Sequence, residues 1–406
     1  MIPIQIVCQE ADAALHRHGL CAERQQRQLR FRQAGAGADI MSRLAVASAP
    51  EGRARLARLV RDHLAALLRQ QTASLPGIPV ERLVLAANTA MTDIFLDRDI
   101  SGLCAAPYRR SHAGGCGLTV EGLPPLLIPP LPAPFVGGDI SAGLLRLLAD
   151  GLPRPLLLAD LGTNGELALV DARGRLWLAS VPLGPALEGI GPQCGRMAGP
   201  GSITRFEVSP LGLACHSVDG PLAAGADVQG ISATGYLSLL ALLLRLGCLD
   251  ADGHFRTPAS PLARRVAPPP QQARTGLRLP LPYGQWLAAA DVEELLKVKA
   301  AFSQALEALL RAAGLAAADV ACLALAGALG EHCPPACLEE LGFLPSGMGR
   351  RVRAVGNSSL DGAALLAAEP WRLPALVRWC AAATLVPVAE DPGFHADYLR
   401  HMRFGV

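Results

Sequence analysis

The chain has 406 residues, 51% of them hydrophobic and 18% charged, with a formal net charge of +2. That length and apolar content exclude a disordered chain and exceed one ordinary core, so two lobes with a cleft between them are expected. Basic residues fall singly or in pairs and form no stripe, which disfavours a nucleic-acid partner.

The opening MIPIQIVCQEADAALHRHG has no basic start followed by a long apolar core, so no secretory signal is expected, and it offers one short strand at 4–7. His16 and His18 stand two apart, a spacing that does not share a helix face, and read as surface residues instead of metal ligands. Over 53–71 the apolar positions Leu56, Leu59, Val60, Leu64, Leu67 and Leu68 recur at helical spacing, and a buried strand is expected over 82–88. Six prolines crowd 123–134; proline neither pairs centrally in a sheet nor continues a helix, so this segment reads as a connector between halves. Beyond it, Gly137 and Gly138 precede Asp139, and a helix is expected from about Ser141. Strands are expected over 156–159, 167–170 and 176–180, joined by a tight turn at 162–165 and a hairpin loop at 171–174.

The stretch 184–203, GPALEGIGPQCGRMAGPGSI, holds six glycines and one carboxylate, Glu188, and reads as a functional loop. The apolar run from Gly235 is too short to span a bilayer, so a soluble cytoplasmic protein is expected. A helix over 303–315 leads into a strand over 320–330 that closes on Gly327 and Gly330. Residues 351–367 give a further strand, a polar turn with Gly356 and Asn357, and a helix. Eleven cysteines form no CxxC pair and no grouped set of four, so reduced and mostly buried thiols are expected.

Chemistry concentrates at DLGTNGE. Asp160 ends a buried strand, and Gly162, Thr163, Asn164 and Gly165 form a turn whose N–H groups can converge on an anion. A carboxylate at a strand end can hold the water shell of Mg²⁺. An ordinary Asp/Gly hairpin turn is the competing reading.

The ordered segments GADIMSRL (37–44), NTAMTDIFL (88–96), APY (106–108), FVGGDISA (135–142), DLGTNGELAL (160–169), the 184–203 stretch, DVEELLKVKAAF (291–302), LAGALG (325–330) and VGNSSLDGAALLA (355–367) resemble the motifs of the reductive activators of corrinoid proteins. These belong to the ASKHA superfamily of acetate and sugar kinases, heat-shock ATPase and actin. The resemblance implies an α/β, two-lobed actin/hexokinase-like (ribonuclease H-like) ATPase fold with a truncated or diverged first lobe. It divides the chain into a first, middle-type lobe over 1–134 incomplete at its N-terminus, a nucleotide-binding lobe over 135–370, and a C-terminal extension over 371–406. It further implies ATP hydrolysis coupled to reduction of a Co(II) corrinoid protein, with ATP and Mg²⁺ as cofactors and a homodimer as the assembly.

By that analogy Asp160 and Glu188 are catalytic, with Asp160 holding Mg²⁺ through water. Gly162, Thr163, Asn164, Gly165, Gly327, Gly330, Gly356 and Asn357 line the nucleotide, and Asp139, Asn88 and Lys299 are further cleft candidates. For Lys299, one of only two lysines, a solvated helix position is the alternative. The Asp160 bend and the strand end near Gly327 are expected to face each other across the interlobe groove. Family members usually begin with a 2Fe–2S ferredoxin-like domain and then a DxGTT-type phosphate loop, and neither is evident before Gln33. An external electron donor, and no iron–sulfur cluster in this chain, are therefore expected. A non-catalytic pseudo-ATPase and a small-molecule kinase of the same superfamily are the alternatives.

Overall fold

The computed structural model describes residues 5–10, 40–74, 80–210, 212–258, 260–274 and 276–405. His16, His18, Ile4 and the stretch 11–39, which covers the segment before Gln33 with no evident first phosphate loop, lie outside them. The chain forms two compact units, Met1–Leu152 with Asn357–Leu385, and Pro153–Gly356 with Val386–Val406.

The first unit opens with β1 (Gln5–Glu10), α1 (Ile40–Ala47), α2 (Pro50–Ser74) and β2 (Val80–Ala86). Helical spacing puts Leu56, Val60, Leu64 and Leu68 on one buried face of α2, as the periodicity requires. Next come α3 (Thr89–Leu96), β3 (Gly114–Leu118), β4 (Leu126–Pro130) and α4 (Gly138–Ala149). The sheet order is β1-β2-β4-β3, with β4 parallel to β2 and antiparallel to β3. The proline-rich stretch is therefore not a mere connector, because it contributes an inner strand. Leu126, Leu127 and Ile128 supply most of the paired positions, while Pro129 and Pro130 close the strand and Pro125 contributes only a carbonyl, accepting from the Leu83 N–H at 2.8 Å.

The second unit carries β5 (Leu156–Leu161), β6 (Asn164–Val170) and β7 (Leu176–Pro182) as an antiparallel meander. Two helices follow, α5 (Ala233–Arg245) and α6 (Ala289–Ala313). The helix expected over 303–315 is the second half of the 25-residue α6. Then β8 (Cys322–Ala326) and β9 (Val352–Ala354) join the sheet, giving the order β9-β8-β5-β6-β7, with β9, β8 and β5 mutually parallel. The strand expected to run to Gly330 stops at Ala326, and Gly327–His332 turns into a six-residue helix. Both faces of this sheet are buried: Leu157 and Leu158 are neighbours on opposite faces and each is almost wholly covered.

After Gly356 the chain returns to the first unit with α7 (Ser358–Ala368) and α8 (Leu373–Ala381), and ends in the second unit with α9 (Phe394–His401). The boundary expected after residue 134 thus falls after Leu152, because α4 packs on α7 inside the first unit. A Cβ on Gly362 of α7 would lie 1.9 Å from the Ala142 carbonyl oxygen of α4, so only glycine allows this approach. Nor is 371–406 a separate extension: α8 packs on β3 and β4, and α9 packs on α6. Among the described residues no helix is long and apolar enough to cross a membrane. Of the nine cysteines whose side chains are described, seven are buried and all nine are free thiols.

Candidate functional site

Three parallel strands of the second unit end side by side, and their C-terminal ends carry Asp160, Gly327 and Gly356. Asp160 stands opposite Ala326 in the β5–β8 register. The Gly327 N–H donates to the Gly356 carbonyl at 2.9 Å, locking the ends of β8 and β9 together. Gly327 adopts φ +76°, and a Cβ there would come within 3.8 Å of Asp160 Oδ1. The two places expected to oppose each other across an interlobe groove are therefore adjacent strand ends of one unit, where parallel α/β sheets open toward ligands.

Asp160 has no side-chain hydrogen bond or ion pair among the described residues, although its side chain remains partly accessible. The protein mass around it pushes its carboxyl up to about 6 from 3.8, with burial the sole cause. An isolated carboxylate held in this way is a fitting partner for a hydrated divalent cation, which would supply the missing counter-charge.

The turn after Asp160 is tighter than expected, since β6 begins at Asn164. Gly162 N–H donates to the Asn164 carbonyl at 3.0 Å, and the Thr163 carbonyl accepts from the N–H groups of Leu183 and Gly184, each at 3.0 Å. Glu188 reaches this turn from a 3₁₀ turn, Pro185–Glu188, flanked by Gly184 and Gly189 at φ +73° and +75°. Its Oε1 accepts from the Thr163 N–H at 3.1 Å and also from the Thr163 hydroxyl. A Cβ on Gly162 would lie 3.8 Å from the same oxygen. The phosphate-type donors of the loop are thus present, and a carboxylate occupies them. Gly165 has a packing reason for its identity, because a Cβ there would meet Leu183 Cδ1 at 2.8 Å.

Asp291, which the sequence reading passed over, holds the rest of the glycine-rich stretch. Its carboxylate accepts from the Gln193 N–H at 2.9 Å and the Ala288 N–H at 3.1 Å, fastening the loop to the start of α6. Burial leads in pushing its carboxyl above the usual carboxylate range, although both N–H bonds oppose the shift. A signal existed: an aspartate three residues into a helix is a capping position.

Other expected site residues lie elsewhere. Gly330 is buried, and a Cβ there would sit 2.3 Å from the Leu325 carbonyl oxygen, so it serves helix–strand packing. Asn357 caps α7 by accepting from the Leu360 N–H at 3.0 Å, and Asn88 caps α3 by accepting from the Met91 N–H at 2.9 Å. Asp139 lies in the first turn of α4, close in space to Asn88: the Ala87 carbonyl accepts from the Gly138 N–H at 2.8 Å, and a Cβ on Gly137 would stand 2.3 Å from Asn88 Cα. Asn88 and Asp139 thus form a pair of the first unit. Lys299 is neither a cleft residue nor solvated. It is 0% exposed, and its Nζ donates to the carbonyls of His401 at 3.1 Å and Arg403 at 2.7 Å, tying down the C-terminal segment.

This arrangement of strand ends, together with the following matches, defines an ASKHA domain, a nucleotide-binding class of fold. The sequence profile described as the C-terminal domain of RACo, the ASKHA domain, matches residues 154–405, and that of the RACo middle region matches 21–150. The chain belongs to this family of reductive activators of corrinoid proteins. It is 28% identical over 397 residues to the corrinoid activation enzyme RamQ of Eubacterium limosum, covering 92% of this chain and 65% of that protein. It is also 28% identical over 267 residues to the [Co(II) methylated amine-specific corrinoid protein] reductase of Methanosarcina barkeri, covering 61% of this chain and 45% of that protein. Among solved structures, a reductive activator for corrinoid, iron–sulfur protein superposes with a TM-score of 0.77 at 25% identity, covering 92% of this chain and 61% of that one. The chain therefore spans less than two thirds of the length of each of these relatives.

Proposed function

We propose that this protein is an ATP-dependent reductive activator that returns an inactive Co(II) corrinoid protein to Co(I), taking one electron from an external donor while ATP is hydrolysed to ADP and phosphate. The observation that carries the reading is Asp160, a carboxylate with no hydrogen-bond or ion-pair partner among the described residues, at the end of a parallel strand beside a glycine strand end and a turn bearing paired N–H and O–H donors. The activities for which the relatives are named supply the corrinoid partner. Asp160 would hold Mg²⁺ through its water shell, and the ion would neutralise phosphate charge. Thr163 would donate to a phosphate oxygen, and Gly327 and Gly356 would let the backbone approach the nucleoside.

Calorimetry with MgATP, and ATP turnover in the presence of a Co(II) corrinoid protein and a reductant, test this reading. Binding, with turnover stimulated by the corrinoid protein, is the expected result; no heat of binding for any nucleotide with Mg²⁺ would overturn it. One observation favours a second reading, a non-catalytic binding module: the donors of Thr163 are already engaged by Glu188. That module would form the corrinoid-protein complex equally well when it carries Asp160→Ala.

A further inference from the structure

Building on the proposed nucleotide site, we propose that Glu188 is an internal stand-in for phosphate, engaging Thr163 when nucleotide is absent and giving way when nucleotide arrives. A single oxygen of Glu188 takes both the N–H and the hydroxyl of Thr163. These are the two donors a phosphate oxygen needs, and a carboxylate matches phosphate in charge sign and in accepting only. Gly162 places no side chain between the carboxylate and the turn. Two anions do not share one donor pair in a protected site, because each repels the other where solvent screens weakly. Phosphate binding and the Glu188 contact therefore exclude each other.

The surrounding chain is built so that only part of the loop must move. Gly184, Gly189 and Gly191, at φ +73°, +75° and +111°, flank and follow the turn that carries Glu188. Immediately beyond, the backbone is fixed: Gln193 N–H donates to Asp291 at 2.9 Å, Ile231 N–H donates to the Cys194 carbonyl at 2.7 Å, and Arg196 N–H donates to the Ile231 carbonyl at 2.9 Å. Displacing Glu188 thus loosens residues 188–191, while Gly184 stays on the Thr163 carbonyl at 3.0 Å, Ala186 and Leu187 stay in the core, and 193–196 stay in place. Nucleotide occupancy is read out as the position of one short segment, whose Ile190 is exposed.

The test uses the full chain, a non-hydrolysable ATP analogue and Mg²⁺, with wild type, Glu188→Ala and Glu188→Gln compared by calorimetry and by amide hydrogen exchange. Glu188→Ala should bind about tenfold more tightly than wild type, the equivalent of ~1.4 kcal/mol, since a charge-assisted contact no longer competes. Glu188→Gln, which keeps the shape and loses the charge, should fall between. In wild type, nucleotide should speed exchange over 188–191 and leave 193–196 unchanged. Weaker binding in both variants would overturn the proposal, making Glu188 a nucleotide ligand while the activator reading stands. Binding by Glu188→Ala but not by wild type would support it strongly, and no binding by any of the three would overturn the nucleotide reading and this inference together.

Discussion

Replacing Asp160 by Asn should stabilise the protein when nucleotide is absent. In the folded state the carboxyl is pushed up to about 6 from 3.8, so the fold prefers it protonated. Its ionised form therefore carries a cost that is absent below the unfolded value, grows as pH rises through the folded one, and is complete above it. The displacement is worth roughly 3 kcal/mol at ~1.4 kcal/mol per pH unit. Asparagine keeps the shape and removes the charge, so Asp160→Asn should gain about 2–3 kcal/mol near pH ~8, and its Tm should rise by roughly 5–10 °C. Near pH ~3 the gain should vanish, because wild-type Asp160 is then largely protonated in both states. Urea unfolding of both proteins at the two pH values measures this directly. The MgATP-dependent shift in Tm should also be large in wild type and small in the variant. A variant less stable than wild type at high pH, or a gain that persists undiminished in acid, would refute the claim that Asp160 is an uncompensated carboxylate held for a cation.

Two further substitutions test the packing and hydrogen bonding. Burial, with Arg400 as the second cause, pushes Lys299 down to about 8 from 10.5, a cost of roughly 3 kcal/mol that nearly cancels the return from its two carbonyl bonds. Lys299→Met should accordingly change stability by less than ~1 kcal/mol at neutral pH. It should nonetheless speed amide exchange over 394–405 and leave nucleotide affinity unchanged, as calorimetry would check. Gly362→Ala puts a methyl 1.9 Å from the Ala142 carbonyl oxygen, a backbone atom that cannot swing aside. It should cost about 2–3 kcal/mol, seen by scanning calorimetry as an earlier transition of the first unit.

The parts of this fold that follow from local spacing could be read from the sequence. The apolar face of α2 and the β5–β6–β7 meander with its Asp171 hairpin both declare themselves within a dozen residues. Asp160 was identifiable for the same reason: a carboxylate that closes an apolar strand and precedes a glycine turn is a local pattern. Proline misled where its position within the strand mattered more than its number, as in β4. Small residues misled at Gly330, where a glycine needed to clear the Leu325 carbonyl resembles one needed to clear a ligand.

Contacts between distant residues were out of reach. Lys299 meets carbonyls more than a hundred positions away, and no local pattern distinguishes a lysine aimed into the protein from one aimed at water. Glu188 and Thr163 are separated by 25 residues, and their pairing depends on two glycines of positive φ folding the chain back onto the turn. The consequence is chemical as well as topological. A phosphate-loop pattern in sequence describes donors without saying what they already hold, and here the chain supplies its own anion. Under the proposed function, nucleotide would bind this loop at the expense of an existing contact. That competition would lower the intrinsic affinity of the site and tie binding to movement of 188–191, giving a nucleotide signal a way to leave the site without any change in the strands that carry Asp160 and Gly327.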